Sequence, residues 1–300
     1  MFYDFFNMLL KEKNIIITGS GRGIGRAVAI ACAKEGANIG LTSRTLEQLN
    51  KVKREIENLE TGVRVITKVA DITVYEQVEE IFKDFHDDLG PLNGVVANAG
   101  ASWRAKAHEV PPEKFAMVIN ANILGVFHTF RASYPYLKKD DKNNKARFII
   151  TGSAVYPSVM GGFSSYTTSK YGVVGLQREL ATEYKRDNIT VNMILPMQVD
   201  TKMLRGRRAG DGDKPPGVLD PEDLVDYYLF FLSDNANRIN DELIYPSNFE
   251  AMKMIIKKAP EEKRENWEIF KVYLEEISPN LYNDVKKYGK LGGFILNNSK

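Results

Sequence analysis

The chain has one cysteine in 300 residues, Cys32, which excludes an intrachain disulfide and fits a reducing compartment. Flanked by alanines in a helical stretch, Cys32 reads as packing rather than chemistry. The three histidines, His86, His108 and His128, stand far apart without paired ligand spacing, so no metal is expected. Excess charge is also missing. With 41 basic and 39 acidic residues the net charge is +2, which supplies no general field for nucleic acid. The local exception is Arg205-Gly206-Arg207-Arg208, read as a solvated basic loop, with attraction of a phosphate-bearing substrate such as a coenzyme A or carrier-protein thioester as the sharper alternative. The first ten residues are apolar and aromatic, but no basic stretch precedes them and Lys11-Glu12-Lys13 closes the run too early for a membrane span or a usual signal peptide. No membrane partner and a cytoplasmic location are expected. There is no internal repeat.

What is present is 43% hydrophobic and 27% charged content, enough to bury a substantial core. Short β-branched runs alternate with helical stretches. Strands are predicted over Asn14 to Thr18, Asn38 to Thr42, Val63 to Val69, Asn93 to Ala97, Arg147 to Thr151 and Thr190 to Leu195. These runs are too apolar to have a wet face, which is the pattern of an α/β doubly wound parallel sheet with helices on both faces. Helices are predicted over Arg26 to Lys34, Leu46 to Leu59, Val74 to Asp87, Pro112 to Leu137 and Ser165 to Lys185. From Pro196 to Leu219 the chain turns to glycine, proline and charge, a length at which a loop is usually a functional lid or mobile. Asp220-Pro221-Glu222 opens a capped helix running to Leu232, and Leu243-Ile244-Tyr245 reads as a final edge strand. The expected organisation is a dinucleotide-binding domain over 1–246, including the catalytic site and a substrate loop at 197–219, and a helical extension over 247–300. In that extension a helix is predicted from Glu261 to Ile277 and a turn at Gly292-Gly293.

Directly after the first strand stands Thr18-Gly19-Ser20-Gly21-Arg22-Gly23-Ile24-Gly25, with a helix following at once. Glycines let the backbone approach a diphosphate, and the free N–H groups of a helix start point at the anion. The spacing of Gly19, Gly23 and Gly25 differs from the general G-x-G-x-x-G fingerprint. At the end of the second strand, Thr42-Ser43-Arg44-Thr45 carries no carboxylate for a ribose 2′-hydroxyl. Arg44, with Arg22 inside the glycine loop, suits a 2′-phosphate instead, and NADP(H) is therefore expected.

Tyr-x-x-x-Lys occurs three times, as Tyr134/Lys138, Tyr166/Lys170 and Tyr282/Lys286. Only the middle pair has a hydroxyl thirteen residues upstream, Ser153, at the end of a buried-looking strand; the others have Ala121 and Ile269 there. One helical turn apart, Lys170 and Tyr166 share a face, and the ammonium is expected to lower the phenol's pKa from about 10 toward neutrality. Tyr166 then suits proton delivery to a carbonyl oxygen during hydride transfer, with Ser153 donating to the same oxygen.

Taken together, these features resemble the short-chain dehydrogenase/reductase family, in its compact single-domain branch, over roughly Leu10 to Pro246. The resemblance implies a cofactor loop at Gly19, Ser20, Arg22, Gly23, Ile24 and Gly25, and an adenine contact at Asp71 with Ile72. It also implies a structural Asn98-Ala99-Gly100 motif beside the cofactor, a water-holding Asn122 for proton relay, and a closing segment at Pro196, Val199 and Thr201. Ser153, Tyr166 and Lys170 complete the catalytic set, Lys170 also bonding the nicotinamide ribose. Met197 departs from the family's usual glycine after the proline, and the tail departs in length. The expected activity is NADP(H)-dependent oxidation or reduction of a carbonyl or secondary alcohol by a homodimer or homotetramer. Tyr156, Trp103, Met160, Phe163, Met197 and Met203 are candidates for an apolar substrate pocket. The reading kept beside it is a catalytically silent NADP-binding regulatory or scaffold protein. A sugar-nucleotide epimerase also uses Tyr-x-x-x-Lys, but its usual glycine spacing and longer substrate domain are absent.

Overall fold

The computed structural model describes residues 8–137, 145–206 and 209–299. Contacts divide the chain into two compact units, Met1–Leu243 and Ile244–Lys300. Seven strands form one sheet: β1 Asn14–Thr18, β2 Asn38–Ser43, β3 Val65–Val69, β4 Gly94–Ala97, β5 Ala146–Thr151, β6 Ile189–Ile194 and β7 Leu243–Ile244, in the order β3-β2-β1-β4-β5-β6-β7. β1 runs parallel to both β2 and β4, so the order reverses there and opens a crevice at the carboxyl ends of the strands. The three isoleucines of β1 and the centre of β5 are fully buried, as a sheet covered on both faces demands.

One helical layer contains α1 Gly23–Lys34, α2 Leu46–Glu57 and, from further along the chain, a helix over Val225–Leu232. The other contains α3 Tyr75–Leu89, α4 Pro112–Ile119, α5 Gly125–Leu137 and α6 Ser164–Glu183. The single helix predicted over Pro112 to Leu137 is interrupted by a π-type turn at Asn120–Leu124. Asn122 lies in this turn, with its side chain turned into the interior. β4 begins one residue later than expected, and Asn93 just before it accepts the Asn14 N–H through its Oδ1 at 2.9 Å.

Among the described residues, the stretch from Pro196 to Leu219 is more ordered than the expected loop. It holds a one-turn helix, α7 Lys202–Arg205. Its ends are tied together, Leu219 N donating to Gln198 O at 3.0 Å and Asp200 N to Leu219 O at 2.8 Å. Asp220 and Asp223 form the expected capping box before α8 Val225–Leu232. Cys32 is buried in α1, where desolvation pushes its thiol well above the ordinary range.

The second unit carries α9 Pro246–Lys258, α10 Trp267–Ile277, α11 Pro279–Val285 and α12 Gly289–Asn298. Two expectations are corrected there. The helix predicted from Glu261 starts at Trp267, because the Asn266 side chain caps it by accepting from Ile269 N at 3.1 Å. The Gly292-Gly293 turn is helix interior instead. A Cβ at Gly292 would stand 2.5 Å from the Trp267 ring, so the glycines are there for close packing of the indole.

Candidate active site

Each element of the crevice is shaped by close approach. Gly19 has φ +65°, and a side chain there would stand 2.8 Å from Ala99 Cα. A Cβ on Gly25 would stand 2.5 Å from Gly19 O and 2.6 Å from Asn98 Nδ2. The α1 N-terminus has Arg22 in extended conformation as its cap residue, no side-chain cap bond and no acid in its first turn. Its leading amides are therefore left for an anionic ligand. This cradle fits a dinucleotide diphosphate. Ser20 is buried and its hydroxyl donates to Thr42 O at 3.3 Å, holding the turn to β2. Gly23 faces Thr201, whose Cγ2 would lie 3.1 Å from an added Cβ, so Thr201 flanks the glycine loop. Ile24 lies in the first turn of α1.

At the β2 end, Arg44 is 75% exposed and its Nη1 lies 3.8 Å from Asp71 Oδ2. Asp71 Oδ1 accepts from Thr73 N at 2.9 Å and Thr73 Oγ1 at 2.8 Å. Burial works to raise this carboxyl, yet the Thr73 bonds and the Arg44 charge outweigh it and hold it below the usual range. Ser43 Oγ accepts from Thr45 N at 3.4 Å. Ile72 O is bonded to His128 Nδ1 at 3.0 Å.

Asn98 joins three strands. Its Nδ2 donates to Thr18 O at 3.1 Å and Gly19 O at 3.3 Å, and its Oδ1 accepts from Thr151 Oγ1 at 3.3 Å. Thr18 Oγ1 accepts from the N–H groups of Asn98 and Ala99 at 3.0 and 3.1 Å. A Cβ on Gly100 would stand 2.8 Å from Asn122 Oδ1. Asn122 is buried; its Oδ1 accepts from Ala101 N at 2.8 Å, and its Nδ2 donates to Ala101 O at 2.9 Å and Ser169 Oγ at 2.8 Å. Both amide hydrogens are thus committed.

Ser153 follows β5, and Tyr166 and Lys170 lie on the first two turns of α6. The structure brings the three together: the Ser153 side chain lies close enough to the Tyr166 hydroxyl to favour its ionised form, and Lys170 Nζ lies 5.6 Å from the Tyr166 ring centroid. Lys170 Nζ donates to Thr151 O at 2.9 Å. Burial pushes the Tyr166 phenol above the usual tyrosine range, and the neighbouring Ser153 side chain opposes it. The pull expected from Lys170 is not among the causes, because the ammonium is seated on the Thr151 carbonyl rather than beside the phenol oxygen.

The sealed interior holds Lys170 at about 8, while an unfolded lysine stays near 10.4. Between these values the unfolded chain binds the extra proton, so stability rises with pH. The cost of burying the ammonium is fully present below about pH 8 and is relieved toward pH 10. Relative to Lys170→Met, the parent chain is therefore expected to gain on the order of 2 kcal/mol between pH 8 and pH 10. Urea unfolding at several pH values checks this; a gap independent of pH would rule it out.

The other Tyr-x-x-x-Lys pairs lie elsewhere. Tyr134 OH donates to Asp187 at 2.7 Å, a bond that with burial pushes it up to about 12, and Lys138 lies outside the described residues. Tyr282 belongs to α11. The basic loop is also corrected. The Arg205 side chain is buried, with Nη1 3.2 Å from Asp200 Oδ2 and Nη2 2.6 Å from Asp211 Oδ1, so it is neither solvated nor free for a phosphate. Arg207 and Arg208 lie outside the described residues. Ala154 N donates to Pro196 O at 2.8 Å, which ties that segment to the strand end that carries Ser153, and Val199 bridges Leu219. Of the pocket candidates, Phe163 lies 6.2 Å from Tyr166 between ring centroids, and Met160, Met197 and Met203 are exposed. Tyr156 packs on Tyr171, and Trp103 lies under Lys114. Sequence reasoning missed Thr151, Ser169 and Tyr228; the i+3 spacing of Ser169 from Tyr166 was the one usable signal. Among the described residues no cluster of His, Cys, Asp or Glu is arranged to hold a metal, and no helix is long and apolar enough to cross a membrane.

The family model for short chain dehydrogenase matches residues 13–212. The chain belongs to the short-chain dehydrogenase family. It is 31% identical over 192 residues to a 3-dehydrosphinganine reductase of Arabidopsis thaliana, covering 64% of this chain and 56% of that protein. The chain therefore spans little more than half the length of that relative. Among solved structures of the family, carveol dehydrogenase from Mycobacterium avium in complex with NAD has a TM-score of 0.73 and 25% identity, covering 80% of this chain and 97% of that one. A short chain dehydrogenase from Shigella flexneri complexed with NADP has a TM-score of 0.72 and 27% identity, covering 80% and 99%. Members of this family with the same fold thus bind either NAD or NADP.

Proposed function

We propose that the chain is an NADP(H)-dependent oxidoreductase acting on a carbonyl or secondary alcohol, with Tyr166 as general acid and base. The observation that carries this reading is the grouping of Ser153, Tyr166 and buried Lys170, at the carboxyl edge of a parallel sheet whose first helix opens on an uncapped glycine turn. Residues Gly19, Gly23 and Gly25 with the α1 amides would hold the diphosphate, and the bound nicotinamide would supply or accept the hydride. Tyr166 holds the proton that a developing alkoxide needs, and burial keeps it protonated until that charge grows. Ser153 donates to the same oxygen, an interaction whose loss commonly costs about 2.7 to 4 kcal/mol. Asn122 has both amide hydrogens committed, so a proton relay at this position runs through its main-chain carbonyl. The π-type turn, which breaks the regular i→i−4 ladder, supports that role.

The preference for NADP(H) rests on Arg44 and Arg22, both exposed beside the glycine loop, and on the missing carboxylate over Thr42 to Thr45. The Arg44–Asp71 contact is long and solvent-exposed, so it competes weakly with a phosphate. The expected result is a kcat/KM with NADPH at least about 10-fold above that with NADH. Arg44→Ser should lower the NADPH value by about 10- to 100-fold and leave the NADH value nearly unchanged. A parent ratio near one, or in favour of NADH, would overturn the preference.

For substrate, the names of the relatives point to apolar ketones and alcohols. The exposed Val159, Met160, Met197, Met203 and Leu204 support an apolar approach to the site. Screening carbonyl compounds while following NADPH absorbance tests both the activity and the class. Exposed Met117, Leu124 and Phe127 on the α4–α5 segment support subunit pairing along that face.

A further inference from the structure

A buried polar chain runs beneath the crevice, and no sequence motif marks its two inner members, Tyr228 and Thr151. Tyr228 of α8 is fully buried, and its hydroxyl lies 2.8 Å from Thr151 Oγ1. Thr151 Oγ1 lies 3.3 Å from Asn98 Oδ1. The direction of the protons follows from the far end. Asn98 Nδ2 faces two carbonyls, Thr18 O and Gly19 O, which only the nitrogen end of the amide can satisfy. Asn98 Oδ1 is therefore the end that meets Thr151, and it can only accept. Thr151 must spend its single proton on Asn98, so Tyr228 must donate to Thr151. Burial holds the Tyr228 phenol far above the ordinary range, which keeps it a donor. Thr151, through its main-chain carbonyl, also seats Lys170 Nζ at 2.9 Å.

We propose that Tyr228 and Thr151 are positioning residues for the dinucleotide site, the Tyr228 hydroxyl orienting Thr151 and Asn98 so that the Gly19 carbonyl and the Lys170 ammonium are held in register with each other. The inference rests on the dinucleotide reading above and goes beyond the glycine and Tyr-x-x-x-Lys motifs, since neither residue belongs to them. One residue, Thr151, thereby links the part of the site that would hold the diphosphate to the part that would handle the proton. Loss of its hydroxyl leaves Asn98 Oδ1 buried with one bond fewer. The amide is then free to lose its fixed orientation under the glycine turn.

The test compares Tyr228→Phe, Thr151→Val, Thr151→Ser and the Tyr228→Phe/Thr151→Val pair in the full chain, reading NADPH and NADH dissociation constants by nucleotide fluorescence and melting temperature alongside. Tyr228→Phe and Thr151→Val are each expected to weaken dinucleotide binding by about 5- to 30-fold. Thr151→Ser, which keeps the hydroxyl, should stay within about twofold of the parent, and the pair should be no weaker than the worse single variant, because both break one chain. A core hydroxyl of purely structural use would lower the melting temperature and leave the dissociation constants alone; that result overturns the proposal. Tyr228→Phe keeps the ring, so it carries the test by itself if Thr151→Val does not fold. A parent chain that binds neither nucleotide would sink the functional reading and this inference with it, whereas a parent that binds and variants that bind equally well would sink this inference only.

Discussion

Tyr166→Phe is expected to lower turnover by about 10²- to 10⁴-fold while changing cofactor affinity less than about twofold. The substitution keeps the ring that packs 6.2 Å from Phe163 and 5.6 Å from the Lys170 ammonium. What it removes is the hydroxyl beside Ser153. None of the glycine-loop contacts touch that oxygen, so the cradle for the dinucleotide is left intact. Steady-state NADPH oxidation with an accepted carbonyl compound, alongside a fluorescence titration of the nucleotide, separates the two effects. Retained turnover would remove Tyr166 from the proton path. A parallel loss of nucleotide affinity would show instead that the hydroxyl serves binding.

Gly25→Ala is expected to weaken dinucleotide binding by about 100-fold, equivalent to nearly 3 kcal/mol, and to reduce folding stability by about 1 to 3 kcal/mol. The added methyl would stand 2.5 Å from the Gly19 carbonyl and 2.6 Å from Asn98 Nδ2. Neither atom can yield cheaply. The first is backbone of the phosphate turn, and the second is bonded to Thr18 O and Gly19 O. Relief by moving α1 outward would withdraw its leading amides from the ligand. Gly175→Ala in α6 is the matched control: nothing lies within 4 Å of a Cβ there, and alanine favours a helix over glycine by about 1 kcal/mol. Equal dissociation constants for the parent and Gly25→Ala would contradict the assignment of the turn.

Much of this arrangement was legible because it is written locally. β1 was read to the residue, since a run of buried isoleucines closing on Thr18-Gly19 has few other interpretations. The pairing of Tyr166 with Ser153 was legible because a helix start and a strand end each fix one side chain. The destination of a long, flexible side chain was not. Spacing puts Lys170 on the face of Tyr166, but its amine travels past the ring to Thr151 O, a partner nineteen residues back. Helical periodicity over Pro112 to Leu137 could not register the extra residue of the π-type turn, because the cause is tertiary: the Asn122 amide is held by both main-chain groups of Ala101. Arg205 illustrates the same limit for charge, as its partners Asp200 and Asp211 turn an exposed-looking cluster inward. In the second unit, Gly292 reads as a turn residue until the Trp267 ring is placed against it.

The paired ends of the Pro196–Leu219 excursion have an evolutionary consequence. Because Gln198 and Asp200 are bonded to Leu219 at the neck, whatever lies between behaves as an interchangeable cassette. The entropy of closing such an excursion grows only slowly with its length, by about 0.6 kcal/mol per doubling. A lineage can therefore lengthen, shorten or recompose that stretch without disturbing the strand end that carries Ser153 or the helix that follows.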